Sequence, residues 1–509
     1  MKKNTSLHSL VKSLIPVEKA YIKKQLRSFS NSKKTTALIL FEQIDKMEDY
    51  DEDLLLQRLK RLGIKGNLAV SKNQLFDTIL RSLRMYREKN SYIAQLKGLI
   101  EGANILFEKG LYDLAQDLLQ KATQLAQELG NHKKLIEISD LKRSYSTQLN
   151  AHNWMEDVTV YLKDRNSLLQ QELDYSEYCQ LYYQILFFIR QHRTIQTEEQ
   201  AQQIEQLITH PILKKGQPDS FYANLYYLYI YNSYYFLKKE YPKALHYMQE
   251  IIELWENNEK ILLTEPEKYL AALNNYYNSS IYVDNSLDLG NFLDKLKKLP
   301  TSNPRFNATV FETVFMWKGI TFYINKNFDQ IELLLQEYLV GLQSYTGLMN
   351  PVRELILLFN ISSLYFLNVE YEKSLDFINK VLAFKHVALR ADLQAIARIF
   401  HLIIHYEIGN IVLLEGVIRS HVRYLKNKSR YTVLESIIFK HVKNIIDLPK
   451  GKATQQGFSD FLTALEAYAQ EDKFKTMSIF QNFNLPIWIK AKIKNIPLLE
   501  ALSLEDNLL

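Results

Sequence analysis

The sequence predicts an all-helical fold: an alpha-solenoid of helical hairpins with a separate helical N-terminal domain. Three observations predict it. Glycine and proline are scarce, 15 and 11 in 509 residues, too few for a chain of strands and tight turns, which draw on both. Apolar residues recur over long stretches at steps of three and four, the spacing of one helix face. From about residue 96 a turn-and-helix pattern returns at a mean interval of about 43 residues, and self-similarity at such a period marks stacked repeats.

Residues 1–95 read as a basic helical domain with helices over Pro16–Phe29, Lys33–Met47, Asp51–Arg61 and Ser71–Lys89. Pro16 suits a first helical position. Asp49, Asp51 and Asp53 put acid at a helix start, as the macrodipole favours, and lack the glycine and distal glutamate of a calcium loop. Ser71 is the expected N-cap of the last helix, which places Leu75, Ile79, Leu80, Leu83 and Tyr86 on one side. This region holds 19 Lys/Arg against 10 Asp/Glu, while the whole chain is only +6. A basic front end favours acidic partners; its plainer reading is a solvated helical surface.

Residues 96–457 carry the repeats. The clearest unit, LFEKGLYDLAQDLLQKATQLAQ, begins at Leu106. Gly110 allows a tight turn between antiparallel helices. Tyr112 is expected to plug the gap between them, and Ala115, Leu119 and Ala122 to form the buried face of the second helix. Degraded copies give Tyr241, Ala244, Met248 and Ile251; Phe328, Ile331, Leu335 and Tyr338; Tyr371, Ser374, Ile378 and Val381; and Ile411, Leu414 and Ile418 after Gly409. Weaker anchors fall at Trp154, Ile195 and Leu287, the last with Gly290 as its small residue. Residues 458–509 form a C-terminal segment with helices at Phe458–Gln470 and Pro486–Lys494. Leu485–Leu499 is expected to cap the last apolar face, which an array must cover.

From about Leu106 to Gln470 the chain resembles tetratricopeptide-repeat (TPR-like) alpha-solenoid proteins, and the whole layout resembles large bacterial proteins of that kind. The match is specific at Gly110–Ala122; most other units lack the turn glycine. The resemblance implies a right-handed superhelix that holds protein or peptide partners in its concave groove.

Few residues point to chemistry. The phosphate-cradling glycine loops are absent. One cysteine, Cys179, excludes a disulfide framework; its aromatic helix and lack of cationic neighbours suit a buried, inert thiol. His401 and His405 share a helix face, but HLIIH lacks the glutamate of the zincin motif, and Glu407 is the one conceivable further ligand. Two histidines at a helix contact is the better account. No catalytic residue, metal or cofactor is expected.

Two features could bind. Lys72, Arg81, Arg84 and Arg87 lie on the basic helix and could meet phosphates, although Asp77–Arg81 and Arg84–Glu88 have the spacing of ordinary surface ion pairs. The connection Leu62–Val70 is longer than a helix-turn-helix allows. The second feature is the tyrosine-dense stretch from Tyr222 to Tyr235. In the repeat register Tyr226, Tyr229, Ser233 and Phe236 face the groove, where tyrosine offers area and a hydroxyl at small entropic cost; packing between helices is the alternative use. The expected function is a non-enzymatic scaffold or adaptor for a protein or peptide partner. The alternative is a nucleic-acid-associated regulatory protein that contacts DNA or RNA through residues 1–95. No apolar run is long enough to span a membrane, and MKKNTSLHSLVKSLIP lacks the continuous apolar core of an export signal, so the cytoplasm is the expected compartment.

Overall fold

The structure, a computed structural model, describes residues 3–28, 35–64, 67–149, 154–192, 195, 197–284, 289–297, 299, 303–384, 391–427, 431–449, 451–471 and 484–504. Secondary structure is helical throughout, with no strand among the described residues. The chain divides into two compact units, 1–286 and 287–509.

Unit one opens with α1 (Lys3–Ser13), α2 (Pro16–Ser28), α3 (Thr36–Asp45), α4 (Glu52–Arg61) and α5 (Leu68–Asn90). Side-chain caps set three of the starts. Thr35 Oγ1 accepts the Leu38 N–H at 3.1 Å, and Asp51 Oδ1 accepts that of Leu54 at 3.0 Å. Asn67 Oδ1 takes the N–H groups of Ala69 and Val70. The last helix therefore starts ahead of Ser71, because Asn67 already satisfies its first orphan donors. α1 was not expected. Its Leu7 and Val11 join Ile22, Phe41, Ile44, Leu55, Leu75 and Ile79 in one core that serves these five helices.

The rest of unit one is α6 (Tyr92–Glu108), α7 (Tyr112–Glu128), α8 (His132–Leu149), α9 (Trp154–His192), α10 (Glu198–Ile208), α11 (Phe221–Leu237), α12 (Tyr241–Glu256), α13 (Glu259–Thr264) and α14 (Pro266–Asp284). Unit two runs α15 (Leu289–Leu296), α16 (Pro304–Ile324), α17 (Ile331–Ser344), α18 (Pro351–Leu367), α19 (Tyr371–Leu382), α20 (Ala391–Ile408), α21 (Ile411–Asn427), α22 (Val433–Ile446), α23 (Lys452–Glu471), α24 (Leu485–Lys494) and α25 (Leu498–Leu504). Most helices pack on their neighbours in the chain. In unit two α16, α18, α20 and α22 also touch one another in succession, a row in which α18 and α20 are buried nearly all round.

One corner recurs. Gly110, Lys239, Lys326, Val369 and Gly409 all have φ between 55° and 85°, and each stands two residues before Tyr112, Tyr241, Phe328, Tyr371 and Ile411. The residue between repeats its dihedrals: Leu111 (−93°, 64°), Glu240 (−85°, 61°) and Glu370 (−91°, 63°). Its N–H reaches back to the carbonyl five residues earlier, Leu111 to Leu106, Glu240 to Tyr235 and Glu370 to Tyr365, each at 2.9 Å. This is the Schellman way of ending a helix. The aromatic after the corner clasps one before it: Phe107 and Tyr112 at 5.2 Å between centroids, Phe236 and Tyr241 at 5.6 Å, Phe322 and Phe328 at 5.4 Å, Phe366 and Tyr371 at 5.1 Å. The anchor thus closes its own turn; Phe328 is also buried in the core of α16–α18 and Tyr371 packs on that of α18–α23, whereas Tyr112 and Ile411 stay exposed. The positions after it, Ala115, Leu119, Ala122, Ala244, Met248, Ile251, Ser374, Ile378, Val381 and Leu414, are buried as the spacing predicts.

The regular interval fails in two places among the described residues. Trp154 opens α9, a single helix of 39 residues, about 58 Å long at 1.5 Å per residue. Its buried residues all lie in its second half: Tyr178, Leu181, Ile185 and Phe188. Ile195 lies in the following connection and starts no helix. Leu287 lies outside the described residues. The C-terminal segment also does more than cover a last hairpin. Trp488 and Ile489 enter the core of α18–α23, Ile487 and Ala491 that of α16–α18, and Lys326 Nζ donates to the Ser503 carbonyl at 2.9 Å. Trp488 Nε1 donates to Glu407 at 2.6 Å, which Lys492 also reaches at 2.6 Å.

Candidate binding surfaces

Tyrosines from α9 and α11 meet along a seam. α11 packs on α9 by one side and on α12 by the other, so its dense aromatics are divided between two contacts. Toward α9, Tyr226 lies 5.7 Å from Tyr175 and 5.4 Å from Tyr182, and Tyr229 lies 5.4 Å from Tyr182. Toward α12, Tyr231 and Tyr235 stack on Tyr247 at 5.4 and 5.6 Å, nearly parallel. Tyr178, buried, donates to the Ile212 carbonyl at 3.1 Å. Burial pushes the Tyr178 and Tyr231 phenols up to about 12 and raises that of Tyr226, so these hydroxyls stay neutral near pH 7 and act as hydrogen-bonding groups.

The residues expected in a groove are distributed differently. Tyr226 and Tyr229 are half-buried against α9, Ser233 is buried, and Phe236 is committed to the corner clasp with Tyr241. The rings that face solvent here are Tyr183 and Phe187 of α9, 53% and 61% exposed. They are four residues apart and so share a face, with Tyr183 at 6.3 Å from Tyr226. Sequence reasoning missed them because α9 was not expected to be continuous. Cys179, one turn before Tyr183, is half-buried and hydrogen-bonds Tyr226.

A cavity of about 320 Å³ adjoins the start of the seam, lined among others by His132, Glu172, Tyr175, Tyr222, Glu265 and Lys268. Gly130 (φ 58°) forms a further corner at its edge, handing α7 to α8, and its Cα carries no side chain against the Tyr222 ring. His132 Nδ1 lies 3.6 Å from Glu172. Burial lowers the His132 pKa and Glu172 partly restores it. Lys268 Nζ lies 2.9 Å from Glu265 and over the Tyr222 ring, 5.5 Å from its centroid. The Tyr222 hydroxyl bonds Glu265. The cavity thus offers both charge signs against aromatic walls, a setting that holds polar groups in place.

On α5 the four basic residues separate. Lys72 is 6% exposed; its Nζ donates to Glu52 at 2.8 Å and Tyr50 at 3.1 Å. Burial opposes its charge, but these bonds outweigh the penalty and raise its pKa. It is a structural ion pair and cannot meet a phosphate. Arg81, Arg84 and Arg87 are exposed. The expected pairs Asp77–Arg81 and Arg84–Glu88 do not form, and the Glu88 carboxylate leans instead over Gly98 of α6. Arg81 borders a second cavity of about 410 Å³ with Thr36, Gln74 and Asp77.

His401 and His405 do share a face and bond each other, and His401 meets His421 of α21. Glu407 is held by Trp488 and Lys492 and is turned from the imidazoles. Among the described residues no group of three or more His, Cys, Asp or Glu could hold a metal ion, and no helix is long and apolar enough to cross a membrane. No family model matches the chain, and no curated protein matches it.

Proposed function

We propose that the chain is a non-enzymatic cytoplasmic scaffold or adaptor, whose TPR-like hairpins wind as a right-handed solenoid and hold a protein or peptide partner. The observation that carries this reading is the recurrent corner: the same dihedrals, back-bond and aromatic clasp at positions far apart in the chain. Hairpins repeated in this way present extended surfaces built for macromolecular partners. Tyr183 and Phe187 supply the anchor, since exposed aromatics bring large contact area with few torsions to freeze.

The test is affinity capture from native lysate with the full-length protein, with and without nuclease. A companion sample carries Tyr183→Ser and Phe187→Ser. A defined protein partner that survives nuclease and is lost with the double variant supports the adaptor. Partners indifferent to the double variant exclude this face.

A second reading rests on Arg81, Arg84 and Arg87, three exposed guanidinium groups with no ion pair among the described residues. Such groups suit phosphate contacts. Recovery of nucleic acid, or of partners lost on nuclease treatment, favours it. Binding should then weaken when the three are changed to alanine and fall steeply with salt.

A further inference from the structure

α20 carries a polar stripe through an apolar core. Gln394, Arg398, His401 and His405 follow at steps of four, three and four and so share a face, while Leu393, Ile396, Ile399, Phe400, Leu402, Ile403 are buried around them. Three imidazoles and one amide form a chain along this stripe. Asn410 Nδ2 lies 3.1 Å from His405 Nδ1, His405 Nε2 3.2 Å from His401 Nε2, and His401 Nδ1 3.0 Å from His421 Nε2. All three rings are buried. The last bond joins α20 to α21, and Asn410 sits in the corner between them. Beside the chain Arg398 is buried, with its Nη1 on the Gln394 carbonyl and Oε1, and its guanidinium 3.4 Å from the Tyr424 ring centroid. Its Nε–H has no partner, and no carboxylate pairs with it among the described residues.

Hydrogen counting defines what this chain can do. Each imidazole junction holds one hydrogen, because a neutral ring has one donor and one acceptor nitrogen. Three neutral rings satisfy it with the Asn410 amide donating. One added proton is also accommodated: the Asn410 amide turns its oxygen to His405, each junction still holds a single hydrogen, and the charge can rest on any of the three rings. A second added proton has no place. It must put two hydrogens into one junction, where N–H faces N–H. His401 and His405 are fixed by their common helix, whereas His421 can leave with α21.

We propose that the α20–α21 hairpin is an acid-operated latch, in which this imidazole chain takes up one proton intact and a second parts α21 from α20. Burial and all but one of the charged groups acting on the rings favour a latch that is closed at neutral pH. Burial first, then His405 and Arg398, bring His401 down to about 4; burial, then His401, Arg398 and His405, bring His421 down to about 3. Burial lowers His405, and Glu372 of α19 pulls it partly back. Tyr424 of α21 faces Arg398. Charged side chains of α18 and α22 are not among the groups that shift the three rings.

The test is hydrogen–deuterium exchange on the full-length protein at pH 7 and pH 4, corrected for intrinsic exchange. Residues 393–425 are expected to lose at least tenfold protection in acid, and the His401→Leu, His421→Leu double variant to lose little. No loss in the wild type, or an equal loss in the variant, overturns the latch. If the variant fails to fold, nitrogen-15 spectroscopy of the wild-type imidazoles decides. Linked titration of the three rings below their ordinary value supports the proposal, and any of them titrating alone near that value overturns it.

Discussion

Two glycines show how neighbours decide the worth of a single residue. Glycine inside a helix lacks the propensity of alanine by about 1 kcal/mol. At Gly416 of α21 an added Cβ meets nothing within 4 Å, so Gly416→Ala should stabilise by roughly 0.5–1 kcal/mol. At Gly341 of α17 the same atom falls 1.7 Å from the Phe311 ring. Overpacking at about 1–3 kcal/mol then exceeds the propensity gain, and Gly341→Ala should destabilise. Urea unfolding of both variants checks the pair, and equal signs would refute the packing. Val369 is a third case. It is β-branched, holds φ 61° and is 65% exposed, so it carries the strain of the left-handed region with little packing in return. Val369→Gly should raise stability by about 1 kcal/mol. A lower melting temperature would mean that the corner is held by that side chain. The glycine pattern read from the sequence was therefore too strict. Back-bond and aromatic clasp hold the corner at Lys239, Lys326 and Val369 without glycine.

At the scale of the element, the buried face of α7 follows from spacing alone. Ala115 is fully buried, and Ala115→Trp should cost about 1–3 kcal/mol by overpacking the α6–α7 contact. An unchanged melting temperature would reject the register. α11 behaves differently. Its tyrosines give no clear periodic face, and the repeat register assigned Tyr226 and Tyr229 to an open groove. Both are half-buried on α9, so Tyr226→Ala with Tyr229→Ala should lower the melting temperature as well as any binding. Tyr183→Ser with Phe187→Ser should leave it nearly unchanged. The difference was invisible in the sequence because it depends on which helix lies across from α11. The same holds for Lys72: spacing put it with the arginines, and only the fold brings Glu52 and Tyr50 to its ammonium.

For the whole molecule, stability should depend on acid through buried histidine. In the unfolded chain these imidazoles take protons near 6.5, whereas His401 and His421 resist to about 4 and about 3 when folded. The unfolded state therefore binds more protons below pH 6.5. Stability is full above that value and is lost as pH falls toward the folded values, by at most about 1.4 kcal/mol per pH unit for each such ring. Calorimetry between pH 7 and 4 checks this. Because the chain forms two compact units, more than one transition is expected, and the acid shift from His401 and His421 belongs to the one that unfolds residues 287–509. A pH-independent transition there would contradict the burial of the histidines.

The sequence by itself determined that the chain is helical, where most helices lie, and which positions of the second helix are buried in the five clearest repeats. Those properties depend on residues within a turn or two of one another: capping side chains, steps of three and four, scarce turn formers. Tertiary structure alone decided the rest. It made α9 one long helix, folded Trp488 into the core of residues 287–509, buried Lys72 beside Glu52, and brought His421 to His401 and His405. Each of these depends on a partner far away in the chain, where free energy is set by desolvation and packing between elements, and local spacing carries no record of that.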